Sequence, residues 1–150
     1  MQKNGFHGRI KCTVFAFVEA LCTFCIGGGV YYALELLWRG YSHITMFAAG
    51  GLCFCILYYG EKKRFGYSPF VRCVGYAYSI TGVELAFGLV FNRLLGLHVW
   101  DYSDKPLNLW GQICPAYFFL WLLLAFCGME LSRALRWLWG RISTRVLINE

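Results

Sequence analysis

Four apolar stretches separated by short polar segments dominate the pattern of hydrophobic and polar positions along the chain. Three are long enough to cross about 30 Å of hydrocarbon at 1.5 Å per helical residue. The second is shorter, but Tyr41, Tyr58 and Tyr59 flank it as interfacial anchors. We therefore predict an all-α, polytopic membrane protein, with residues 1–150 as a single integral membrane domain. The four transmembrane helices form two hairpins and cover approximately residues 12–38, 44–59, 70–95 and 107–128.

The composition supports lipid as the solvent of this chain. Hydrophobic residues make up 59% and charged residues 15%, more apolar surface than a soluble domain of this size can bury. The eight cysteines lie in or beside the apolar stretches, where a thiol behaves as a small hydrophobe, so we predict no metal site and no cofactor. The net charge of +6 comes from basic residues at the helix ends, which argues against nucleic acid as a partner. The expected partner is the lipid bilayer.

The distribution of lysine and arginine predicts the orientation. Eleven of the 14 basic residues lie near the two termini or the link between the second and third helices, and Arg39, Arg93 and Lys105 lie on the opposite side. The positive-inside rule then predicts a multi-pass protein of the cell membrane with both termini in the cytoplasm. Residues 131–142 carry leucines on one helical face and arginines elsewhere, which predicts a short basic amphipathic C-terminal helix, or equally a solvated end of the fourth span.

Polar side chains are predicted to converge on the outer half of the bundle. Glu84 is the clearest candidate, because nine residues separate it from Arg93 and place it about 13 Å below the outer interface, where an ionised carboxylate is costly. We predict a polar cup open to the outside, with Glu84 at its floor; a structural hydrogen bond between helices is the alternative for this residue. Glu19, on the inner side, is expected to pair with a neighbouring arginine, and a place in an inner gate is the alternative. The residues predicted to bind substrate are Glu35, Arg39, His43, Glu84, Asn92, Asp101, Asn108 and Gln112; no catalytic residue is predicted.

Several short segments are distinctive. They are Gly29-Val-Tyr-Tyr-Ala-Leu-Glu35, Trp38-Arg-Gly-Tyr-Ser-His43, Met46-Phe-Ala-Ala-Gly-Gly-Leu-Cys-Phe54, Ile80-Thr-Gly-Val-Glu84, Val99-Trp-Asp-Tyr-Ser103 and Asn108-Leu-Trp-Gly-Gln-Ile-Cys-Pro115. With them the chain, from about Gly27 to Trp121, resembles a bacterial family called putative ABC-transporter type IV, or CmpB-like. The resemblance implies a small, permease-like polytopic protein. Its motif residues include all the predicted binding residues except Asn92.

Three functions remain open at this point. The leading hypothesis is solute or ion transport by a homo-oligomer or together with another membrane subunit, because four short helices hardly enclose a complete path. A separate ATPase is a candidate partner. The first alternative is an intramembrane enzyme acting on a lipid or lipid-linked substrate, which a lateral opening from the cup into the bilayer would favour. The second alternative is a non-transporting assembly or regulatory subunit. Whether the protein is an enzyme is left open, with a non-enzymatic role preferred.

Overall fold

The computed structural model of this chain describes the backbone of residues 3–63 and 66–148, and the side chains of residues 13–63 and 66–144. Four helices account for most of these residues, so the predicted all-helical fold is confirmed. The helices are α1 (Lys3–Arg39), α2 (Ile44–Lys63), α3 (Pro69–Phe87, continued by a π-helical segment, Gly88–Leu94) and α4 (Pro115–Ile148).

All four helices have the length and the apolar composition needed to cross a membrane. Even α2, with 20 residues, spans about 30 Å. Phe17, Phe119 and Leu123 are each at least 60% exposed on the outer faces of the bundle, a surface that hydrocarbon solvates without cost. The spans are Thr13–Arg39, Ile44–Lys63, Pro69–Leu94 and Pro115–Thr144.

The helices pack as the two predicted hairpins, α1 with α2 and α3 with α4. Because α2 also contacts α3 and α4, it is the most buried of the four helices. Glycines allow the close approach of α1 and α2: a Cβ atom at Gly28 would lie 2.5 Å from the Phe47 backbone oxygen, and one at Gly51 would lie 2.8 Å from the Phe24 backbone oxygen. Lipid supplies no hydrophobic force between helices, so such backbone contact contributes the packing energy.

The fourth helix begins at Pro115 rather than near Leu107, where the apolar pattern places it. Residues 107–114 form a turn, because Leu107 and Trp110 adopt positive φ angles of 56° and 55° that a helix does not tolerate. Pro115 suits the first helical turn, where its missing N–H is not needed. At the other end α4 continues without a break to Ile148, so the predicted C-terminal helix is the continuation of α4.

Basic side chains gather at one end of the bundle, which we call the basic end. Lys62 lies in the last turn of α2, Arg72 lies in the first turn of α3, and Arg133 and Arg136 lie on the second half of α4. The opposite end, which carries residues 95–114, is called the loop end. The positive-inside rule predicts that the basic end faces the cytoplasm, and this orientation stays a prediction. Five of the basic residues behind it lie outside the described part, namely Arg64 and the side chains of Lys3, Arg9, Lys11 and Arg145.

Candidate functional site

A cavity of about 340 Å³ lies between the four helices. Side chains from every helix line it, together with Trp100 from the loop end. Nearly all of them are aliphatic or aromatic, and Glu84 is the only acidic or basic side chain among the described residues that line it. The lining includes Val30, Tyr31, Leu34, Met46, Ala49, Phe87, Trp121, Leu123 and Cys127.

Glu84 faces this cavity from α3, with 8% of its surface exposed. Its Oε1 accepts a hydrogen bond from the Tyr102 hydroxyl at 2.9 Å, and its Oε2 accepts one from the Trp121 indole N–H at 2.8 Å. Burial, and then the negative charge of Glu84, raise the pKa of Tyr102 above its ordinary value, so this phenol stays a hydrogen-bond donor at neutral pH. Glu84 is therefore held by two neutral donors, one from the loop end and one from α4.

Asn92 anchors the loop end to α3. Its Oδ1 accepts a hydrogen bond from the Val99 backbone N–H at 2.7 Å, and its Nδ2 donates to the Trp100 backbone oxygen at 3.0 Å and to Gln112 Oε1 at 2.9 Å. The Trp100 indole N–H donates in turn to the Gln112 backbone oxygen at 3.0 Å. Both amide side chains are almost fully buried, so these bonds replace water. Asn92 and Gln112 thereby hold Trp100 over the loop end of the cavity.

The π-helical turn lets Asn92 share a face of α3 with Glu84. Glu84, Gly88 and Asn92 are all buried. In an α-helix each residue rotates by about 100°, so a residue eight places after Glu84 would point about 80° away from it. The wider π-helical turn rotates less per residue and brings Asn92 back towards the Glu84 face. Glycine at position 88 leaves room for Gln112, because a Cβ atom there would meet the end of that side chain and displace it.

Glu35 and Arg39 form an ion pair at the loop end of α1. Glu35 Oε1 lies 2.5 Å from an Arg39 guanidinium nitrogen, and the Ser42 hydroxyl donates to the second carboxylate oxygen. Arg39 also donates to the Val99 backbone oxygen at 3.2 Å, which joins α1 to the loop. Neither Glu35 nor Arg39 lines the cavity.

His43, Asp101 and Asn108 lie in turns at the loop end. His43 is exposed, and its Nδ1 lies 2.9 Å from Thr45 Oγ1 at the start of α2. Asp101 is also exposed and accepts hydrogen bonds from the Ser103 hydroxyl at 2.6 Å and backbone N–H at 2.9 Å, which lower the pKa of its carboxyl. Asn108 Oδ1 accepts a bond from the backbone N–H three residues later at 2.9 Å. These contacts shape the turns and do not reach the cavity.

Of the eight predicted binding residues, only Glu84 lines the cavity. The structure brings Glu35 and Arg39 together as a pair, and Asn92 and Gln112 as another, while His43, Asp101 and Asn108 each bond to a neighbour in sequence. These contacts do not form a shared polar cup, because the side chains bond to the backbone of the loop and to one another. The role of these eight residues in binding stays a prediction, and Glu84 is the one whose position in the cavity supports it.

The exposed side chains of the cavity lining indicate where the cavity reaches the surface of the bundle. Val30 and Leu34 on α1, and Leu123 on α4, line it and are 46%, 42% and 60% exposed, respectively. Cys127, one turn further along α4, is exposed as well. The lining residues of α2 and α3 are buried or half-buried. The opening therefore lies between α1 and α4, on a surface that the transmembrane spans place in lipid.

Sequence reasoning missed a buried ion cluster at the basic end. Glu61 is 2% exposed, and its Oε1 lies 2.8 Å from Arg72 Nε. Arg136 lies 3.8 Å from the second carboxylate oxygen and donates to the Glu61 backbone oxygen at 2.5 Å, and the Tyr76 hydroxyl donates to Oε1 at 3.2 Å. The cluster joins α2, α3 and α4. An acidic residue directly before two lysines was the available signal, and it was interpreted only as part of a polar link.

Glu19 forms the expected ion pair, but its partner is a lysine rather than an arginine. The Lys62 ammonium lies 2.9 Å from Glu19 Oε1, and the Tyr58 hydroxyl donates to the same oxygen at 2.5 Å. This contact joins α1 to α2 at the basic end. No group of three or more His, Cys, Asp and Glu side chains in the described part is arranged to hold a metal ion.

Comparison with known proteins gives a family. The chain matches the family described as Putative ABC-transporter type IV over residues 22–148, a range that includes every residue lining the cavity. The chain belongs to this family. Membership in the Putative ABC-transporter type IV family confirms the resemblance seen in the sequence and, with the four apolar helices, indicates a multi-pass membrane protein related to ABC transporters. No curated protein and no solved structure matches the chain.

Proposed function

We propose that this protein is a membrane component of a transport system that takes a hydrophobic or amphipathic molecule from the lipid into its cavity. The apolar part of the molecule lies along the cavity wall, and its polar end lies at Glu84. The observation that carries this proposal is the opening between α1 and α4, where Val30, Leu34 and Leu123 belong both to the cavity lining and to the exposed surface.

Access along the bundle axis is obstructed at both ends, which supports entry from the side. Trp100, held by Asn92 and Gln112, covers the loop end and is 6% exposed. At the basic end the core contains Tyr58 and Ser132, both fully buried, and the Glu61 ion cluster. A solute dissolved in water therefore meets packed side chains from either direction, whereas a molecule in the bilayer meets only the gap between two helices.

The chemistry of the lining also favours an apolar ligand. An apolar cavity with a few polar groups is the usual form of a small-molecule site, and its walls suit an alkyl chain that comes from the hydrocarbon of the bilayer. A polar or ionic solute would leave most of its hydrogen-bonding groups without partners here, because Glu84 is the only charged group among the described lining residues. The proposed ligand is therefore amphipathic rather than polar throughout.

A complete transport path requires more than one copy or a further subunit. The lining of this cavity extends along α2 only as far as Leu57, and the next residue, Tyr58, is fully buried. Relation to ABC transporters suggests a separate ATPase as the energy source. The surface it would contact is the basic end, where Glu61 in the last turn of α2 contacts Arg136 in the second half of α4.

Of the two other functions, the intramembrane enzyme has the weaker support. The opening between α1 and α4 is the feature that this hypothesis expected. However, Glu84 is the only carboxylate among the described lining residues, and the other titratable side chains there are the weak acids Tyr31, Cys53 and Cys127. A non-transporting assembly subunit remains the second candidate, because four of the eight predicted residues make the cross-linking contacts that such a role requires. They are Glu35, Arg39, Asn92 and Gln112.

Photo-crosslinking tests the proposal. The protein in lipid nanodiscs is illuminated with an alkyl probe that carries a diazirine, and the labelled residues are mapped by mass spectrometry. We expect labels on cavity residues such as Met46, which is 5% exposed, in addition to lipid-facing residues such as Phe119. Ala49→Leu, which adds volume inside the cavity, should reduce the label on Met46 and leave that on Phe119. Labels confined to lipid-facing residues would favour the assembly subunit.

A further inference from the structure

The glutamates that are buried in the described part of the chain differ in their partners. Three of the four contact a basic side chain, namely Glu19 with Lys62 (2.9 Å), Glu35 with Arg39 (2.5 Å) and Glu61 with Arg72 (2.8 Å). Glu84 receives hydrogen bonds from Tyr102 and Trp121 only, and no basic side chain within the described ranges forms an ion pair with it. The one buried glutamate without a cation is thus the one that faces the cavity.

The negative charge of an ionised carboxylate in this position is only partly compensated. Removing a charge from water is costly inside a membrane, and two neutral hydrogen bonds compensate only part of that cost. Each carboxylate oxygen accepts one bond here and retains acceptor capacity, because an ionised carboxylate has about four acceptor sites. The remaining sites are available to a group in the cavity.

Aromatic rings surround the same part of the cavity. Tyr31, Phe87, Trp100 and Trp121 all contribute to its lining, and the rings of Tyr31 and Trp121 are 6.1 Å apart. The faces of such rings attract alkylated ammonium groups, which are weakly hydrated and enter apolar surroundings more readily than a metal ion does. A lone carboxylate among aromatic rings thus suits an organic cation, whereas a metal ion requires several oxygen ligands.

We propose that the ligand of this cavity is a cationic amphiphile, an alkyl chain or ring system bearing an ammonium group, and that Glu84 is the counter-ion of its head. This inference rests on the proposed function, since it names the chemical class of the molecule that enters between α1 and α4. The alkyl part lies against the aliphatic lining, and the ammonium group contacts the free acceptor sites of the Glu84 carboxylate.

Three probes with the same chain and different heads test this assignment. Binding of decyltrimethylammonium, 1-decanol and decyl sulfate to the protein in zwitterionic nanodiscs is measured by equilibrium dialysis, with partition into protein-free nanodiscs subtracted. We expect the cation to bind most tightly and the sulfate most weakly. Glu84→Gln should weaken binding of the cation about 10- to 100-fold and leave that of decanol unchanged. Glu130→Gln, which removes the same charge from an exposed pair outside the cavity, should change neither.

The outcomes separate this inference from the proposed function. If cation and decanol bind equally to the wild-type protein, the cavity takes amphipathic molecules without charge selection; the proposed function then stands and the counter-ion role of Glu84 is wrong. If no probe binds beyond its partition into lipid, the proposed function fails and this inference with it. The ranking of the three probes on the wild-type protein decides the matter even if Glu84→Gln does not fold.

Discussion

Replacement of Asn92 by leucine tests the structural account of the loop end, because leucine has nearly the same size but cannot form hydrogen bonds. The change removes three bonds, to the Val99 N–H, the Trp100 oxygen and Gln112 Oε1. Each bond contributes about 0.5–1.5 kcal/mol, and a buried group left without a partner costs about 1–3 kcal/mol. We therefore expect opening of the loop to become easier by about 3–5 kcal/mol.

Hydrogen exchange of the loop amides measures this opening directly. The N–H of Tyr102 donates to the Gly111 oxygen at 2.8 Å, and that of Leu109 donates to the Ile113 oxygen at 2.8 Å, so both exchange only when the loop opens. Because each 1.4 kcal/mol in the free energy of opening changes the exchange rate tenfold, exchange at these sites should accelerate about 100-fold or more. Amides in the α1–α2 hairpin serve as the internal control and should not change. An acceleration below about threefold at the loop sites would refute the role given to Asn92.

Three further predictions concern packing, the basic end and orientation. Gly51→Leu forces a side chain against the backbone of α1 and should lower the free energy of denaturant-induced unfolding by about 2 kcal/mol or more. Gly82→Leu is the control, because a Cβ atom there would meet no other atom within 4 Å, and it should lower that free energy by less than about 0.5 kcal/mol. Glu61→Gln leaves Arg72 and Arg136 without their counter-charge and should lower the free energy of unfolding by about 3 kcal/mol. Glu130→Gln, in an exposed pair, should lower it by at most about 1 kcal/mol, and equal losses of stability in the two variants would contradict this prediction. A green fluorescent protein fused to the C-terminus should fluoresce in a bacterial host, and alkaline phosphatase fused there should be inactive.

The helices and their pairing followed from the sequence because lipid imposes one strong requirement. Every backbone polar group within hydrocarbon must be bonded inside its own segment, so an apolar stretch of sufficient length is a helix. The start of α4 was misplaced because Leu109, Trp110 and Ile113 continue the apolar pattern into the turn. Their conformation depends on the Asn108 side chain and on positive φ angles, and neither is visible in hydropathy.

The candidate site was predictable only in part. The depth of Glu84 on its helix identified it as a costly charge, and the structure places it in the cavity. The fate of Asn92 and Gln112 was not predictable, because their partners are backbone groups of a loop whose path the sequence does not reveal. The burial of Glu61 was missed for a related reason, because its arginine partners come from α3 and α4 and lie far from it in the sequence.

The π-helical turn at Gly88–Leu94 couples the position of the cavity carboxylate to that of the loop end. Because that turn aligns Glu84 with Asn92, any rotation or shift of α3 displaces the carboxylate and the loop anchor in the same direction. If the proposed ligand draws Glu84 towards it, we expect the surface formed by residues 95–114 to change as well. A binding protein or antibody raised against that surface would then distinguish copies with the ligand from copies without it.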